Sequence, residues 1–262
     1  MLAWIQPAII GFIEGVTEFI PISSTGHMIL AEHFLQFSID QFPTFAIAIQ
    51  LGAILAVATV YWTFFKKWLR PRQWLSKESG LITIACLPAL ALGFLAHDVI
   101  KGYLFGPITV AVGLLIGGVL MVGVDRVFAK RGGVTKLENM SYKQALSVGL
   151  VQCLSLWPGF SRSASSMMGG IIAGVSYETS ANFSFIIALP IMAIAVAYDL
   201  SKSWNTLTAA NFQNIAIGFI VAFLVATLSI VTFLRLLKRW HLAPFGIYRV
   251  ALAIVVLWTV FG

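Results

Sequence analysis

Six long apolar stretches recur along the chain, and short polar segments separate them. A helix that crosses the hydrocarbon core of a bilayer needs about 20 predominantly apolar residues. The six stretches lie at about 43–64, 81–100, 106–126, 183–200, 214–235 and 243–261. The pattern therefore predicts an all-α polytopic membrane protein with six transmembrane helices.

Two further stretches, at about 3–35 and about 143–177, are apolar but broken in the middle by Pro, Gly, Ser and ionisable residues. Non-helical backbone at membrane depth is tolerated only where protein buries it or where it lines a water-filled cavity. We therefore predict that each stretch is a re-entrant helical hairpin.

The composition supports a membrane protein throughout. Hydrophobic residues make up 59 % of the 262 residues and charged residues 10 %, whereas a soluble domain has about 25 % charged residues. We predict a single membrane domain, 1–262, that contacts membrane lipids. The net charge of +7 does not indicate nucleic-acid binding, because the basic residues lie in short loops without a contiguous patch.

The distribution of Lys and Arg predicts the orientation. Of the 17 basic residues, 13 lie in the loops after the first, third and fifth predicted spans, and only two lie in the other two loops. Cytoplasmic loops carry the excess of positive charge. The first hairpin is therefore expected to open to the outside, where both ends of the chain also lie.

The two halves of the chain repeat the same order of features. The first hairpin contains GFIE and PISST at 11–14 and 21–25, and the second contains GLVQ and PGFSRS at 149–152 and 158–163. Each half, about 1–130 and about 138–262, is thus one hairpin followed by three spans. Three is an odd number, so the second half is inserted upside down. Inverted repeats place two broken helices near the bilayer midplane, where they form a shared binding site.

Two acidic residues lie in the first hairpin. Glu14 and Glu18 are four residues apart, on one face of a helix. Two carboxylates in a low dielectric cannot both stay ionised without help, so they share a proton or bind a cation. An oxygen-rich pair suits Mg²⁺ or Ca²⁺. The alternative is a helix face exposed to water at the membrane edge.

A run of hydroxyl side chains follows these acids. Pro21 breaks the helix, and Ser23, Ser24 and Thr25 look like the cap of a new helix whose free N–H groups favour an anion. The alternative is capping alone. Ser24 and His27 are three residues apart and could lie side by side as nucleophile and acid/base, although a lone His is more often a structural donor.

The second hairpin carries a basic residue, Arg162, at membrane depth. Its fork of donors fits a phosphate or a carboxylate, and the alternative is a structural ion pair with either acid of the first hairpin. We place it in a candidate phosphate-binding set with Ser161, Ser163, Ser23 and Thr25. Arg249, in the last span, is equally well explained as a second phosphate contact or as a structural partner of a helix terminus.

Three motifs, in this order, resemble those of the undecaprenyl-diphosphate phosphatase family of the bacitracin-resistance type. They are E-x-x-x-E at 14–18, P-x-S-S-T-G-H at 21–27 and P-G-x-S-R-S at 158–163. The resemblance covers nearly the whole chain in length and in the order of spans.

The resemblance implies a bacterial inner-membrane enzyme that removes the terminal phosphate from a polyprenyl diphosphate lipid. This reaction regenerates the lipid carrier for peptidoglycan and other wall polymers. The substrate is the lipid that bacitracin sequesters, so the resemblance also implies resistance to bacitracin. The resemblance also implies dependence on a divalent metal ion, a site that opens to the periplasm, and a homodimer.

By position, the resemblance also implies roles for residues of both hairpins. Glu14 and Glu18 would hold the metal ion or assist proton transfer, and Ser24 would be the nucleophile, with Thr25 beside it. His27 would be the acid/base, and Arg162 would bind the phosphate. A second hypothesis, a transporter or flippase for a lipid phosphate or an ion, is favoured by the inverted repeat alone. Transport has no need of a serine nucleophile beside a histidine.

Overall fold

A computed structural model describes residues 4–35, 42–104, 106–128, 133–203 and 209–261. Within these ranges the secondary structure consists of α-helices and short 3₁₀ helices, apart from one isolated bridge between Val134 and Val175. The all-α prediction is confirmed for this part of the chain.

The α-helices follow one another along the chain with short connections. Their bounds are α1 Ile5–Thr17, α2 Ser24–Leu35, α3 Phe42–Val60, α4 Trp62–Phe65, α5 Lys77–Leu95, α6 His97–Tyr103, α7 Pro107–Phe128, α8 Tyr142–Gln152, α9 Arg162–Ile172, α10 Tyr177–Ser203, α11 Ala209–Trp240 and α12 Ala243–Phe261. Six of them, α3, α5, α7, α10, α11 and α12, overlap the six predicted spans.

Several of these helices suit a bilayer. Within the described residues, four are long and apolar enough to cross it: Lys77–Leu95, Pro107–Phe128, Tyr177–Tyr198 and Phe212–Trp240. A fifth arises if Ala48–Val60 and Trp62–Leu69, which meet at 74°, form one bent span. Helix α12 is also apolar, over the shorter range Ala243–Thr259. The protein is therefore an integral membrane protein.

The first span ends earlier than the predicted limit of 64. Helix α3 stops at Val60, and the chain then bends into the segment Trp62–Leu69. That segment has the sequence WTFFKKWL, and Trp, Lys and Arg favour the membrane–water interface. Apolar character alone could not distinguish an interfacial turn from the end of a span.

Each predicted hairpin contains two α-helices joined by a turn. In the second hairpin the connection also includes the short 3₁₀ helix Cys153–Leu156. Pro21 lies in the first turn, where its ring and missing N–H prevent a continuous helix. Ser23 and Ser161 occupy the same place in the two hairpins and have positive φ angles of 71° and 69°. Each caps the helix that follows, because its hydroxyl accepts the N–H of Gly26 (3.4 Å) or Ala164 (3.3 Å).

The hairpins pack on long helices from the other half of the chain. Helix α1 packs on α11, and α8 packs on α5. Glycine permits both contacts: a Cβ atom on Gly11 would collide with the carbonyl of Gly218, and one on Gly149 would lie 2.7 Å from the carbonyl oxygen of Ala85. Helices α7 and α12 pack together along their length, and α3 packs against both α10 and α11.

Replacement of Gly11 by alanine is expected to destabilise the protein by about 1–3 kcal/mol, because the new methyl group meets rigid backbone. Thermal unfolding in detergent measures the effect as a lower Tm. Gly123→Ala is the matched control, since a Cβ atom there has no heavy atom within 4 Å and its Tm should not fall. Equal Tm values for both variants would contradict the close contact between α1 and α11.

Candidate active site

The turns of the two hairpins enclose one cavity of about 160 Å³. The N-termini of α2 and α9 both open onto it. Its lining residues are Glu18, Ser23, Ser24, Thr25, Gln50, Ser155, Pro158, Gly159, Ser161, Arg162 and Met192. Most of the lining comes from the hairpins, and Gln50 and Met192 come from α3 and α10.

Glu18 is at the centre of the polar contacts in this cavity. It follows the last residue of α1 and is only 8 % exposed. One carboxylate oxygen, Oε2, accepts the hydroxyl of Ser24 at 2.7 Å, and the other, Oε1, accepts Nη2 of Arg162 at 3.0 Å. A single carboxylate thus connects the two hairpins.

The guanidinium group of Arg162 is held from several sides. Its Nη1 donates to the carbonyl oxygen of Ser184 at 3.2 Å, and the hydroxyls of Ser184 and Ser166 are 2.7 Å apart. The guanidinium carbon lies 5.7 Å from the ring centre of Phe19, within cation–π range. Arg162 therefore has both features considered from the sequence: it forms an ion pair with an acid of the first hairpin, and it lines the cavity.

The backbone adds positive potential to the same space. The first N–H groups of a helix have no intrahelical partner and attract anions. Ser24 and Thr25 begin α2, and Arg162 and Ser163 begin α9. Two helix N-termini on one cavity therefore favour a ligand with more than one negative charge.

The remaining predicted phosphate-binding serine faces elsewhere. Ser163 is fully buried, and its hydroxyl lies 3.0 Å from that of Ser161 and 3.5 Å from the carbonyl oxygen of Ile20. Its side chain is not part of the cavity lining, whereas Ser23, Thr25 and Ser161 are. The hydroxyl of Ser163 thus supports the turn, and its phosphate-binding role stays a prediction.

Glu14 lies one helical turn before Glu18 and is completely buried. Neither of its carboxylate oxygens has a hydrogen-bond partner among the described residues. An isolated buried carboxylate is very costly unless it is protonated, paired or bound to a cation. Mg²⁺ is commonly held by one or two carboxylates together with phosphate oxygens and water.

Glu18 lines the cavity and Glu14 does not, so a divalent cation held by both acids and a phosphate ligand stays a prediction. Within the described residues no group of three or more His, Cys, Asp and Glu side chains is arranged to hold a metal ion. The two carboxylates alone would supply the protein ligands.

His27 lies outside the cavity lining. Its Nδ1 is 2.8 Å from the carbonyl oxygen of Ser23, and its Nε2 is 2.7 Å from the hydroxyl of Tyr248 in α12. Because a carbonyl oxygen can only accept, Nδ1 carries the proton and Nε2 accepts from Tyr248. The group in contact with the hydroxyl of Ser24 is the carboxylate of Glu18. The acid/base role of His27 stays a prediction.

Arg249 has a structural role, but its partners are backbone carbonyls in the middle of α7 and in the turn before α9 and not a helix terminus as expected. It is fully buried between α7 and α12. Its Nη2 donates to the carbonyl oxygens of Gly159 at 2.8 Å and Gly113 at 3.3 Å. Gly159 lines the cavity, so Arg249 stabilises the turn of the second hairpin by binding the carbonyl of a lining residue.

Sequence reasoning missed three of the residues that line the cavity: Gln50, Ser155 and Met192. For Gln50 a signal was present, because it is the only polar side chain between Phe45 and Ala58 in α3. Ser155 and Met192 carry no comparable signal.

These features define a class of protein: a polytopic helical membrane protein with a serine, a carboxylate and an arginine in a cavity suited to a phosphate group. Residues 7–255 match the family model described as bacitracin resistance protein BacA, and the chain belongs to this family.

Curated relatives extend over nearly the whole chain. Proteins named undecaprenyl-diphosphatase 1 from Bacillus thuringiensis (strain Al Hakam) and Bacillus anthracis are each 46 % identical over 257 residues, which is 97 % of this chain and 96 % of the relative. A protein of the same name from Bacillus cereus is 45 % identical over 251 residues, 94 % of each chain.

Removing either partner of the buried ion pair is expected to destabilise the fold, because a buried charge loses its counter-charge. Glu18→Gln and Arg162→Met should each cost about 3–5 kcal/mol. The double variant should lose less than the sum of the two, which measures the coupling.

Thermal or denaturant unfolding of the four proteins in detergent tests this prediction. The matched control is Lys238→Met, which removes a 3.2 Å ion pair with Glu178 whose side chains are 60 % and 55 % exposed. Its stability should change little, since exposed pairs contribute little. Strict additivity of the Glu18 and Arg162 variants would contradict the coupling.

Proposed function

We propose that the protein hydrolyses undecaprenyl diphosphate to undecaprenyl phosphate and inorganic phosphate. The carboxylate of Glu18, which binds both the hydroxyl of Ser24 and the guanidinium of Arg162 in one cavity, is the observation that carries this proposal. The name of the curated relatives, undecaprenyl-diphosphatase 1, supports it. The reaction recycles the lipid carrier for cell-wall synthesis and so confers bacitracin resistance.

The contacts indicate how the residues divide the work. Ser24 already donates its hydroxyl proton towards Glu18, which is the arrangement of a nucleophile and its base. Glu18 takes this proton as the oxygen attacks the terminal phosphorus. The bond between that phosphorus and the bridging oxygen breaks, and undecaprenyl phosphate leaves with the electron pair.

A water molecule then attacks the phosphoserine. The bond between phosphorus and the Ser24 oxygen breaks, and Glu18 returns its proton to that oxygen, so that inorganic phosphate is released. Phosphoryl transfer depends mostly on positioning and on neutralisation of charge. Arg162 and the N-termini of α2 and α9 supply both, because their donors are fixed before the substrate arrives.

Glu14 and Glu18 would hold the divalent cation, Mg²⁺ or Ca²⁺, together with oxygens of the substrate. When bound, the cation neutralises part of the charge on the diphosphate. The buried oxygens of Glu14, which lack partners within the described residues, support this assignment.

We further propose that six transmembrane helices and two re-entrant hairpins form an inverted repeat, with halves at about 1–130 and about 138–262. Ser23 and Ser161 support it, since they share the same unusual φ angle and the same capping role. The reciprocal packing of α1 on α11 and of α8 on α5 gives independent support.

The cavity is proposed to face the periplasm of a bacterium, with the protein in the inner membrane. The distribution of Lys and Arg supports this orientation, because the basic loops belong on the cytoplasmic side. A homodimer is proposed from the resemblance to the family alone.

Ser24→Ala and Glu18→Gln are each expected to lower phosphate release from undecaprenyl diphosphate by at least about a hundredfold, since a nucleophile or its general base is lost. The measurement is phosphate release by purified protein in detergent with Mg²⁺ or Ca²⁺. Ser201→Ala is the matched control, because among the described residues its hydroxyl bonds only to the carbonyl of Tyr198, at an exposed helix end. A Ser24→Ala protein with full activity would contradict the nucleophilic role.

A chelator is expected to abolish phosphate release by the parent protein, and added Mg²⁺ or Ca²⁺ should restore it. Glu14→Gln should raise the half-saturating metal concentration about tenfold or more, because one of two charged ligands is replaced by a neutral one. Titration of activity with metal measures this. Undiminished release in excess chelator would refute the metal assignment.

A further inference from the structure

We propose that the side-chain amide of Gln50 binds the lipid-linked phosphate of the substrate, and that this contact gives the cavity its affinity for a prenyl diphosphate. The inference rests on the proposed function, because it assigns a second subsite to the same cavity. It concerns a residue outside both hairpins.

The amide of Gln50 is available for a ligand. Gln50 lines the cavity and is only partly buried. Its neighbours Glu18, Ser24 and Arg162 are all bonded to one another or to the protein, whereas the amide of Gln50 makes no hydrogen bond to the described residues. The amide can therefore donate to a ligand in the cavity without breaking a contact to the described residues.

Helix α3 is locked in the rotation that points Gln50 at the cavity. Phe45 and Ile49 lie against Gly218 of α11, where a Cβ atom would be 3.0 Å and 2.7 Å from their side chains. Gly52 faces α11 too, and a Cβ atom there would collide with the carbonyl of Phe219. These three residues form one face of α3, so the helix cannot turn Gln50 away without breaking this contact.

The position of Gln50 suits the second phosphate rather than the terminal one. Ser24 and Arg162 bind the two oxygens of one carboxylate, so these three side chains form one cluster, at which we place the terminal phosphate. Gln50 bonds to none of these three residues although it lines the same cavity. A diphosphate bound at Ser24 and Arg162 has a second phosphate that needs a donor of its own, and we assign it to the amide of Gln50 in the lining of the same cavity.

A neutral amide also suits the chemistry of this subsite. Its N–H group donates to a phosphate oxygen and favours the anion. It holds the departing monophosphate less strongly than a second arginine would, since hydrogen bonds between two charged groups are the stronger ones. The product lipid is therefore recognised and can still be released.

Gln50→Leu, which keeps the size and removes the donor, tests the subsite. Dissociation constants for undecaprenyl phosphate and for inorganic phosphate are measured on purified protein in detergent, with kcat/KM for undecaprenyl diphosphate. Affinity for undecaprenyl phosphate and kcat/KM should each fall roughly ten- to a hundredfold, as expected for a hydrogen bond to a charged group. Affinity for inorganic phosphate should change less than about twofold.

Gln50→Glu should weaken undecaprenyl phosphate binding further, because a carboxylate faces an anion. Gln73→Leu is the matched control: it makes the same exchange in the 3₁₀ helix Pro71–Leu75, away from the cavity lining, and should alter neither affinity. The Tm of every variant is measured alongside, so that misfolding is recognised as such.

Two results would overturn the inference. One is an unchanged affinity of Gln50→Leu for undecaprenyl phosphate. The other is an equal loss of affinity for inorganic phosphate, which would move Gln50 to the terminal phosphate. A parent protein that binds undecaprenyl phosphate through Gln50 but releases no phosphate from the diphosphate would refute the proposed hydrolysis and leave the subsite standing.

Discussion

The ion pair between Glu18 and Arg162 is the contact on which the rest of the cavity depends. It joins the two hairpins through residues that are 144 positions apart in the sequence. Two isolated charges would be far too costly at this depth, and each is tolerated because the other neutralises it. The hydroxyl of Ser24 completes the arrangement by donating to the same carboxylate. The proposed nucleophile, its proposed base and the proposed phosphate-binding arginine are thus positioned by one buried carboxylate, so on this proposal little reorganisation is needed when a phosphate binds.

Ser23 and Ser161, which precede α2 and α9, have backbone conformations that cost free energy. A non-glycine residue with positive φ costs about 1–3 kcal/mol and persists only where its surroundings demand it. Glycine would relieve the strain at positions 23 and 161, but it would also remove the hydroxyl that caps the helix. Serine permits the turn that directs the N-terminus of each helix at the cavity. Its hydroxyl also caps the helix by accepting the third N–H group, that of Gly26 or Ala164. The strain is therefore a consequence of aiming two helix ends at one ligand.

Much of the fold follows from the apolar pattern. The predicted span 106–126 is found as Pro107–Phe128, and 243–261 is found as Ala243–Phe261. Spacing was less informative about the site, because contacts between distant segments decide which side chains meet. The i, i+3 spacing favoured His27 as the partner of Ser24, but the ring of His27 is held by Tyr248 and the turn brings Glu18 to the hydroxyl instead. Two explanations of Arg249 were equal until packing placed it behind Gly159.

The proposed repeat has similar backbones in its two halves but different side chains at corresponding positions. Helix α2 begins with Ser24 and α9 begins with Arg162, so the same kind of turn presents the proposed nucleophile on one side and a cation on the other. A site with identical halves could bind a diphosphate through two helix ends, yet it would have no preference for either phosphorus. The exchange of serine for arginine removes this symmetry. Glu18 links the unlike residues, so the proposed mechanism confines attack to the phosphate bound between them.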